Sequence, residues 1–464
     1  MKKPLLFLAS IFLTFTLCRA TVWQVGPSQA YTLPSQVSTL VQNGDTVNID
    51  AGNYQSDVCR WTASNLLLRG IGGYAHLESN GLSWGDKAIW VIQGNNVTVE
   101  WIEFSECTST SQNGAGIRGE GLNLTVRNCY FHNNENGILI GAYSPCKYVI
   151  EYSEFAYNGF GDGYSHNLYI GNIDTLIFRY NYSHHCNIGQ ELKSRAKVNY
   201  ILYNRFSNES SGNASREIDL PNGGMAIVMG NIIQQGVNGT NSNLVGYGME
   251  GLSNPAPHNL YLINNTLVNE KTVGSFVAVN SGTNLYKGYN NIFAGGGSLL
   301  SGAPQTLDTS GNKYYSLIGS AGFVNSGAYD YRLLSGSTAI NAGVAAGSAS
   351  NGYSLTPAYE YVHPAGRITR GLISTIDAGA HEFGLSTGEL SFAEDEIVFF
   401  KDGQHLVIMA GEQINHVSIY ALSGAMAYRS AYPSLIPLTG LRSGIYIVYL
   451  ELESGRKLSR KIFL

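Results

Sequence analysis

Tyr200-Ile-Leu-Tyr-Asn-Arg-Phe206 is a run of strand-forming residues closed by a short triplet, and that ending returns along the chain. The copies are Ile102-Glu-Phe104, Cys129-Tyr-Phe131, Ser153-Glu-Phe155, Asn181-Tyr-Ser183, Asn204-Arg-Phe206, Asn231-Ile-Ile233, Asn265-Thr-Leu267 and Asn291-Ile-Phe293. They lie 23 to 34 residues apart, each behind a β-type run such as Leu124-Thr-Val-Arg127. Self-similarity on that scale marks a solenoid whose turns bury their apolar faces on one another. No copy carries a 3.6-residue period over a helix length, which excludes helical repeats. A propeller blade needs four strands, and most of these intervals are too short for one. The repeat length suits a few short strands per turn, so the sequence predicts an all-β fold dominated by a parallel β-helix. Asn181, Asn204, Asn231, Asn265 and Asn291 share one position, which predicts an internal ladder of amides bonding above and below.

The ends of the repeat region carry a resemblance. Asn43-Gly-Asp-Thr-Val-Asn-Ile-Asp-Ala-Gly-Asn-Tyr54 reads as turn, strand and turn, and it resembles the first turn of right-handed parallel β-helix proteins of the pectate-lyase-like kind. Asp330-Tyr-Arg-Leu-Leu-Ser-Gly-Ser-Thr-Ala-Ile-Asn-Ala-Gly343, with Asp377-Ala-Gly-Ala-His-Glu382, is similar to the terminal segment of bacterial secreted β-helix proteins. The resemblance implies a right-handed solenoid over residues 21–384. It leaves function open, since the fold hosts lyases, hydrolases, epimerases and adhesins.

Residues 385–464 differ in style. Glu396-Ile-Val-Phe-Phe400, His405-Leu-Val-Ile-Met409, Val417-Ser-Ile-Tyr420 and Gly444-Ile-Tyr-Ile-Val-Tyr449 alternate as strands of a small β-sandwich. Val417-Ser-Ile-Tyr-Ala-Leu-Ser-Gly424, Leu438-Thr-Gly-Leu-Arg-Ser-Gly-Ile-Tyr-Ile-Val448 and Arg460-Lys-Ile-Phe-Leu464 resemble a type IX secretion C-terminal sorting domain. That resemblance implies the type IX secretion machinery as a partner and passage across an outer membrane. At the other end, Lys2 and Lys3 precede an apolar run from Leu5 to Leu17 and then Cys18-Arg19-Ala20, the pattern of a signal peptide over residues 1–20. The run is too short to span a bilayer, so a secreted or cell-surface chain without a membrane span is expected, as a monomer.

Composition narrows the rest. Only 13% of the 464 residues are charged, the net charge is -5, and no basic run occurs, which argues against nucleic-acid binding. Cys59, Cys107, Cys129, Cys146 and Cys186 are an odd set and predict no disulfide framework, and no Cys/His spacing suggests zinc.

Against this low charge, three runs stand out: His166-Asn-Leu-Tyr-Ile-Gly171, Gln190-Glu-Leu-Lys-Ser-Arg195 and Arg216-Glu-Ile-Asp-Leu-Pro221. Strict alternation sends Leu168, Ile170, Leu192, Ile218 and Leu220 inward. It sends Asn167, Glu191 and Glu217 outward in one column, and Tyr169, Lys193 and Asp219 outward in the next. Arg195 stands beyond them, Arg118 joins from an earlier turn, and Tyr247 lies on the turn after. His166 and Arg216 open their strands. Facing carboxylates need positive charge between them, either the cationic side chains or a Ca²⁺ ion on Glu191 and Glu217 with Asp219 or Asn167 oxygens.

Such a patch suits an acidic polysaccharide. β-Elimination of a uronate needs a cation on the carboxylate, a base for the C5 proton and an acid for the leaving oxygen. Lys193 is the candidate base, Arg195, Arg216 or Ca²⁺ the neutralising charge, and Tyr169 or His166 the acid. Arg118, Asn167, Asp219 and Tyr247 are candidate substrate contacts. A Lys-Ser strand followed by an Arg opening the next resembles the alginate lyase and chondroitinase B family, and that match implies Lys193 and Arg216 as the catalytic pair. Glu217-Ile-Asp-Leu-Pro stands where that family carries Arg-His-Gly. Hydrolysis by Glu191, Glu217 and Asp219, uronate epimerisation, and a glycan-binding adhesive solenoid remain alternatives. His184 and His185 are expected on opposite faces in structural roles.

Overall fold

The computed structural model describes residues 20–371 and 374–384 and, from 398 to 463, the C-terminal strands with some of their connections. The expected signal peptide (residues 1–19 of it) and the start of the C-terminal segment lie outside the described residues.

Each repeat folds into three short strands. Thr175–Arg179, Tyr182–His184 and Leu192–Ser194 make one turn, and Val198–Leu202, Arg205–Ser207 and Ile218–Leu220 make the next. All pair in parallel with their counterparts one turn away, so the chain forms a parallel β-solenoid. The first two strands of each turn belong to one bent sheet of 21 strands, and the third builds a separate sheet of ten, from Cys59–Trp61 to Ser298–Ser301.

The bend has a local cause. The residue before each triplet adopts the left-handed conformation: Asn128 (φ 51°), Tyr152 (52°), Tyr180 (60°), Tyr203 (56°), Asn264 (51°) and Asn290 (57°), with Gly230 and Gly311 in the same place. A single left-handed residue redirects a strand without a loop, at a cost of roughly 1 kcal/mol for a residue with a Cβ. The amide ladder offsets that cost. Asn181 Nδ2 donates to Asn204 Oδ1 at 3.1 Å, Asn204 to Asn231 at 2.9 Å, Asn231 to Asn265 at 3.0 Å and Asn265 to Asn291 at 3.0 Å. Each amide also donates to a backbone carbonyl of the turn behind, as Asn231 does to Ile201 O, so the buried corner is fully bonded. The ladder is the expected one, and it extends to Asn312. Beside it the triplet aromatics Phe104, Phe131 and Phe155 stack at 4.9 Å intervals.

The C-terminal part of the solenoid domain packs back on its own outer surface. Ala346, Ala349 and Leu355 cover Ile227, Met229, Tyr261 and Ile263, while Tyr331, Tyr361, Ala378 and Ala380 cover Ile232, Val268 and Ile292. Strands Met225–Met229 and Asn259–Ile263 are therefore buried on both faces, and apart from Asn259 and the Tyr261 hydroxyl they are apolar. Arg370 and Glu382 close this segment with a buried ion pair at 2.7 Å.

The C-terminal strands form two antiparallel sheets. Leu406, Ile408 and Ile436 of one share a core with Val417, Ile419, Val448 and Leu450 of the other, which is the sandwich the alternation implied. All five described cysteines are buried and free.

Candidate functional site

The short strands Leu168–Ile170, Leu192–Ser194 and Ile218–Leu220 lie on successive turns of the ten-stranded sheet. Tyr169 is opposite Lys193, and Lys193 opposite Asp219, in the expected register. Arg118 stands in the same outer column two turns earlier, with Leu139 between it and Tyr169.

On this outer side the charges interlock. Lys193 Nζ donates to Glu250 Oε1 at 2.6 Å and lies 3.7 Å from Asp219 Oδ2. Arg195 donates through Nε to the Tyr169 hydroxyl (2.8 Å), through Nη1 to Asn222 Oδ1 (2.6 Å) and through Nη2 to Glu250 Oε2 (2.5 Å). Arg216 Nη1 reaches Asp219 Oδ1 at 3.2 Å. Gly246 follows Asp219 in the column, and a Cβ there would stand 2.9 Å from the Asp219 carboxylate and 3.0 Å from Arg216 Nε. Its hydrogen leaves the room that this pair occupies. Three cations thus face two carboxylates. Asp219 is almost fully buried, and burial pushes its carboxyl up while Arg216 and Lys193 pull it down. Glu250 is 45% exposed; partial burial opposes its charge, but the hydrogen bonds from Lys193 and Arg195 outweigh it and hold the carboxyl below the ordinary range.

His166 sits at the edge of this group, stacked on Tyr169 at 5.7 Å. It is buried, and burial, reinforced by the Lys193 and Arg195 charges, lowers it to about 3. Nδ1 accepts the Gln190 amide at 3.1 Å, so the ring is a neutral imidazole protonated on Nε2. That corrects the expectation that it serves as a titrating acid. The Tyr169 hydroxyl, by contrast, accepts from a guanidinium and keeps its own proton free to donate.

The neighbouring column points the other way. Asn167, Glu191 and Glu217 are fully buried, not outward. The reason is a corner: the residue preceding each of these strands and the first residue of the strand both face the interior, as Leu244 and Val245 do one turn later. Alternation holds only within a strand, and these three residues lie just before one. Asn167 and Glu191 belong to a second internal ladder, in which Asn134 donates to Asn158 (3.0 Å), Asn158 to Asn167 (2.9 Å) and Asn167 to Glu191 (2.5 Å). Glu191 also accepts from Ser183 Oγ and the Cys186 amide, and Glu217 from Asn208 Nδ2. These residues do not fit a Ca²⁺ ion. The groups aimed at Glu191 are N–H and O–H donors, the wrong polarity for a cation that takes six to eight oxygens. Tyr247 is likewise interior, its hydroxyl bonded to Gly224 O at 2.5 Å, and is not placed to touch a substrate. His184 and His185 do not diverge either: His185 is left-handed (φ 53°), and their Nδ1 atoms meet at 2.8 Å.

Residues 64–231 match the family described as a right handed beta helix region. The solenoid is right-handed, as its first and last turns implied. Among solved structures, the chain is similar to that titled crystal structure of pectate lyase Pel9A. The two share 13% identity at a TM-score of 0.45, over 78% of this chain and 96% of that one. That likeness bears on neither substrate nor chemistry. No curated protein matches the sequence.

Two residues of the outer site were not legible in the sequence. Glu250 reaches Lys193 and Arg195 from a turn 57 and 55 residues further on, and Asn222 lies just past its strand. Neither position carries a local pattern. A Glu on the connection after strand Asn243–Tyr247, two turns above the cations, was the one signal available.

Proposed function

We propose that the outer face around Lys193, Arg195 and Arg216 binds an acidic, uronate-containing polysaccharide and cleaves it by β-elimination. The observation that carries this reading is the position of Glu250: an exposed carboxylate held by Lys193 and Arg195, beside the Tyr169 hydroxyl. A uronate carboxylate can take that place by displacing Glu250, which is free to swing into solvent. Arg195 and Arg216 then neutralise the substrate carboxylate and favour the charge that spreads onto it as C5 loses its proton. Lys193, released from Glu250, is the base that takes that proton. The C5 electron pair becomes the C4–C5 double bond, the C4–O bond breaks, and the Tyr169 hydroxyl protonates the leaving oxygen. No step runs through Ca²⁺. Arg118 extends the cationic column for a neighbouring sugar, and Asp219 positions Lys193 and Arg216.

Hydrolysis is the weaker reading, because Glu191 and Glu217 face the interior and cannot flank a glycosidic bond. Uronate epimerisation uses the same proton-abstracting groups, and a binding-only adhesin uses the same cations. We further propose export by an N-terminal signal peptide and delivery to the surface or medium by the C-terminal sandwich acting as a type IX sorting domain.

A panel of alginate, pectate and glycosaminoglycans separates these possibilities. Elimination produces ultraviolet-absorbing products with a double bond conjugated to the carboxylate, lost in Lys193→Ala. New reducing ends without that absorbance mean hydrolysis, a changed uronate configuration without cleavage means epimerisation, and retention without turnover means binding alone.

A further inference from the structure

A second cluster lies on the other sheet, on earlier turns of the solenoid. His76, Glu103 and His132 project outward from the strands Leu67–Glu78, Ile102–Ser105 and Tyr130–His132, which pair in parallel on three successive turns. The register puts His76 directly opposite Glu103. Ser105 is opposite His132, so His132 reaches Glu103 along the diagonal. His132 Nε2 is 2.9 Å from Glu103 Oε1, His76 Nε2 is 3.7 Å from the same oxygen, and all three ligand atoms lie within 4.8 Å of one another. Two ligands about 2.1 Å from a tetrahedral ion stand roughly 3.4 Å apart, so small side-chain rotations close this set. The side chains are 23%, 21% and 19% exposed, open to an ion yet largely out of water.

The polarity of the contacts asks for a cation. His132 Nδ1 is 2.8 Å from Asn133 Oδ1, an acceptor, so Nδ1 carries a proton. Nε2 is then left with its lone pair aimed at a carboxylate oxygen 2.9 Å away. Two acceptors at that distance need something positive between them, a second ring proton or a metal ion. A ring nitrogen bonded to a carbonyl-type oxygen on its far side is the outer-shell arrangement that fixes a histidine ligand. His76, the second imidazole, makes the difference: an ion pair uses one ring, whereas here two Nε2 atoms converge on one oxygen. Ser105 Oγ, 2.7 Å from His76 Nε2, completes the polar floor.

We propose that His76, Glu103 and His132 form a binding site for a divalent transition metal, Zn²⁺ in the first place, that clips three adjacent turns together. Two imidazoles and one carboxylate select a borderline ion over Ca²⁺ or Mg²⁺, and three protein ligands leave a fourth position for water or a substrate oxygen. The site is separate from the cationic face and does not depend on the activity assigned to it.

The test uses the full chain without an affinity tag, stripped by chelator and titrated with Co²⁺ and then Zn²⁺. The expected result is one ion per chain, intense visible Co²⁺ bands of a four-coordinate site, and a rise in melting temperature with Zn²⁺. Glu103→Gln keeps the shape of the side chain and should weaken binding by about a hundredfold or more, as should the double variant His76→Ala/His132→Ala. Circular dichroism establishes that each variant is folded. A control, His184→Ala/His185→Ala, should bind as wild type. No stoichiometric uptake by the folded wild type, or unchanged uptake in Glu103→Gln, overturns the proposal, and so does loss of binding only in the control.

Discussion

Two columns of one sheet, two residues apart in the chain, have opposite fates. Asn167, Glu191 and Glu217 are sealed inside the solenoid, while Tyr169, Lys193 and Asp219 stand on its outer side. Both hold acidic residues, but their environments differ. In the inner column a carboxylate replaces an amide in a hydrogen-bonded ladder, and it can accept but not donate. Burial pushes Glu191 up to about 7 and raises Glu217 well above the ordinary carboxylate range, where the Glu191 charge adds to the rise. Glu217 Oε2 is buried without a hydrogen-bond partner among the described residues, so nothing there offsets the burial of its charge. On the outer side Asp219 and Glu250 face Lys193, Arg195 and Arg216, whose charges pull both carboxyls down against the cost of burial. An inner carboxylate is a matter of stability and an outer one of recognition.

The largest effect is expected at the first amide ladder, which supports the turns that carry both columns. Asn231→Ala removes the acceptor for the Asn204 amide and side chain and the donor to Ile201 O and Asn265 Oδ1. Leaving these buried groups unpaired should cost on the order of 3 kcal/mol or more, measured by chemical denaturation.

Next comes the proton. The folded values of Glu191 and Glu217 lie above their ordinary 4.5, so folding takes up protons. The stability these groups contribute is fully present below pH 4.5 and is lost as pH rises through about 7 and beyond. Wild-type stability should therefore decline from pH 5 to pH 8. Glu217→Gln should flatten that decline and be more stable than wild type above pH 7.

Outer-column changes should barely touch stability. Lys193→Ala and Arg195→Ala remove half-buried charges from an exchangeable network, and each should shift unfolding by about 1 kcal/mol or less. Each should weaken an acidic oligosaccharide more than about tenfold, or about 1.4 kcal/mol, and that affinity should fall with added salt. The smallest effect is expected at Glu250→Ala. Removing the carboxylate that competes for Lys193 and Arg195 should tighten binding a few-fold, or about 1 kcal/mol.

Much of the fold was legible because its signals are local. The triplet recurs at a fixed place beside a left-handed corner, and Asn at that place has one good use. The register of the outer column also followed from sequence, since Leu168, Leu192 and Ile218 mark the core position of each strand. The inner column was not legible, because two-residue alternation says nothing of a corner, and Glu191 just before a strand looks the same as Lys193 within one. Glu250 was hidden for another reason, that its partners are two turns away. The His76, Glu103 and His132 cluster joins side chains from three repeats whose spacing matches no known ligand motif.

The most direct measurement is the affinity of the protein for a defined uronate oligosaccharide at pH 7, by calorimetry, in wild type, Lys193→Ala and Glu191→Gln. Binding that is lost in Lys193→Ala and kept in folded Glu191→Gln is the result expected of an outer column that recognises and an inner one that only supports. Binding that survives Lys193→Ala, or that vanishes in Glu191→Gln at unchanged stability, would contradict it.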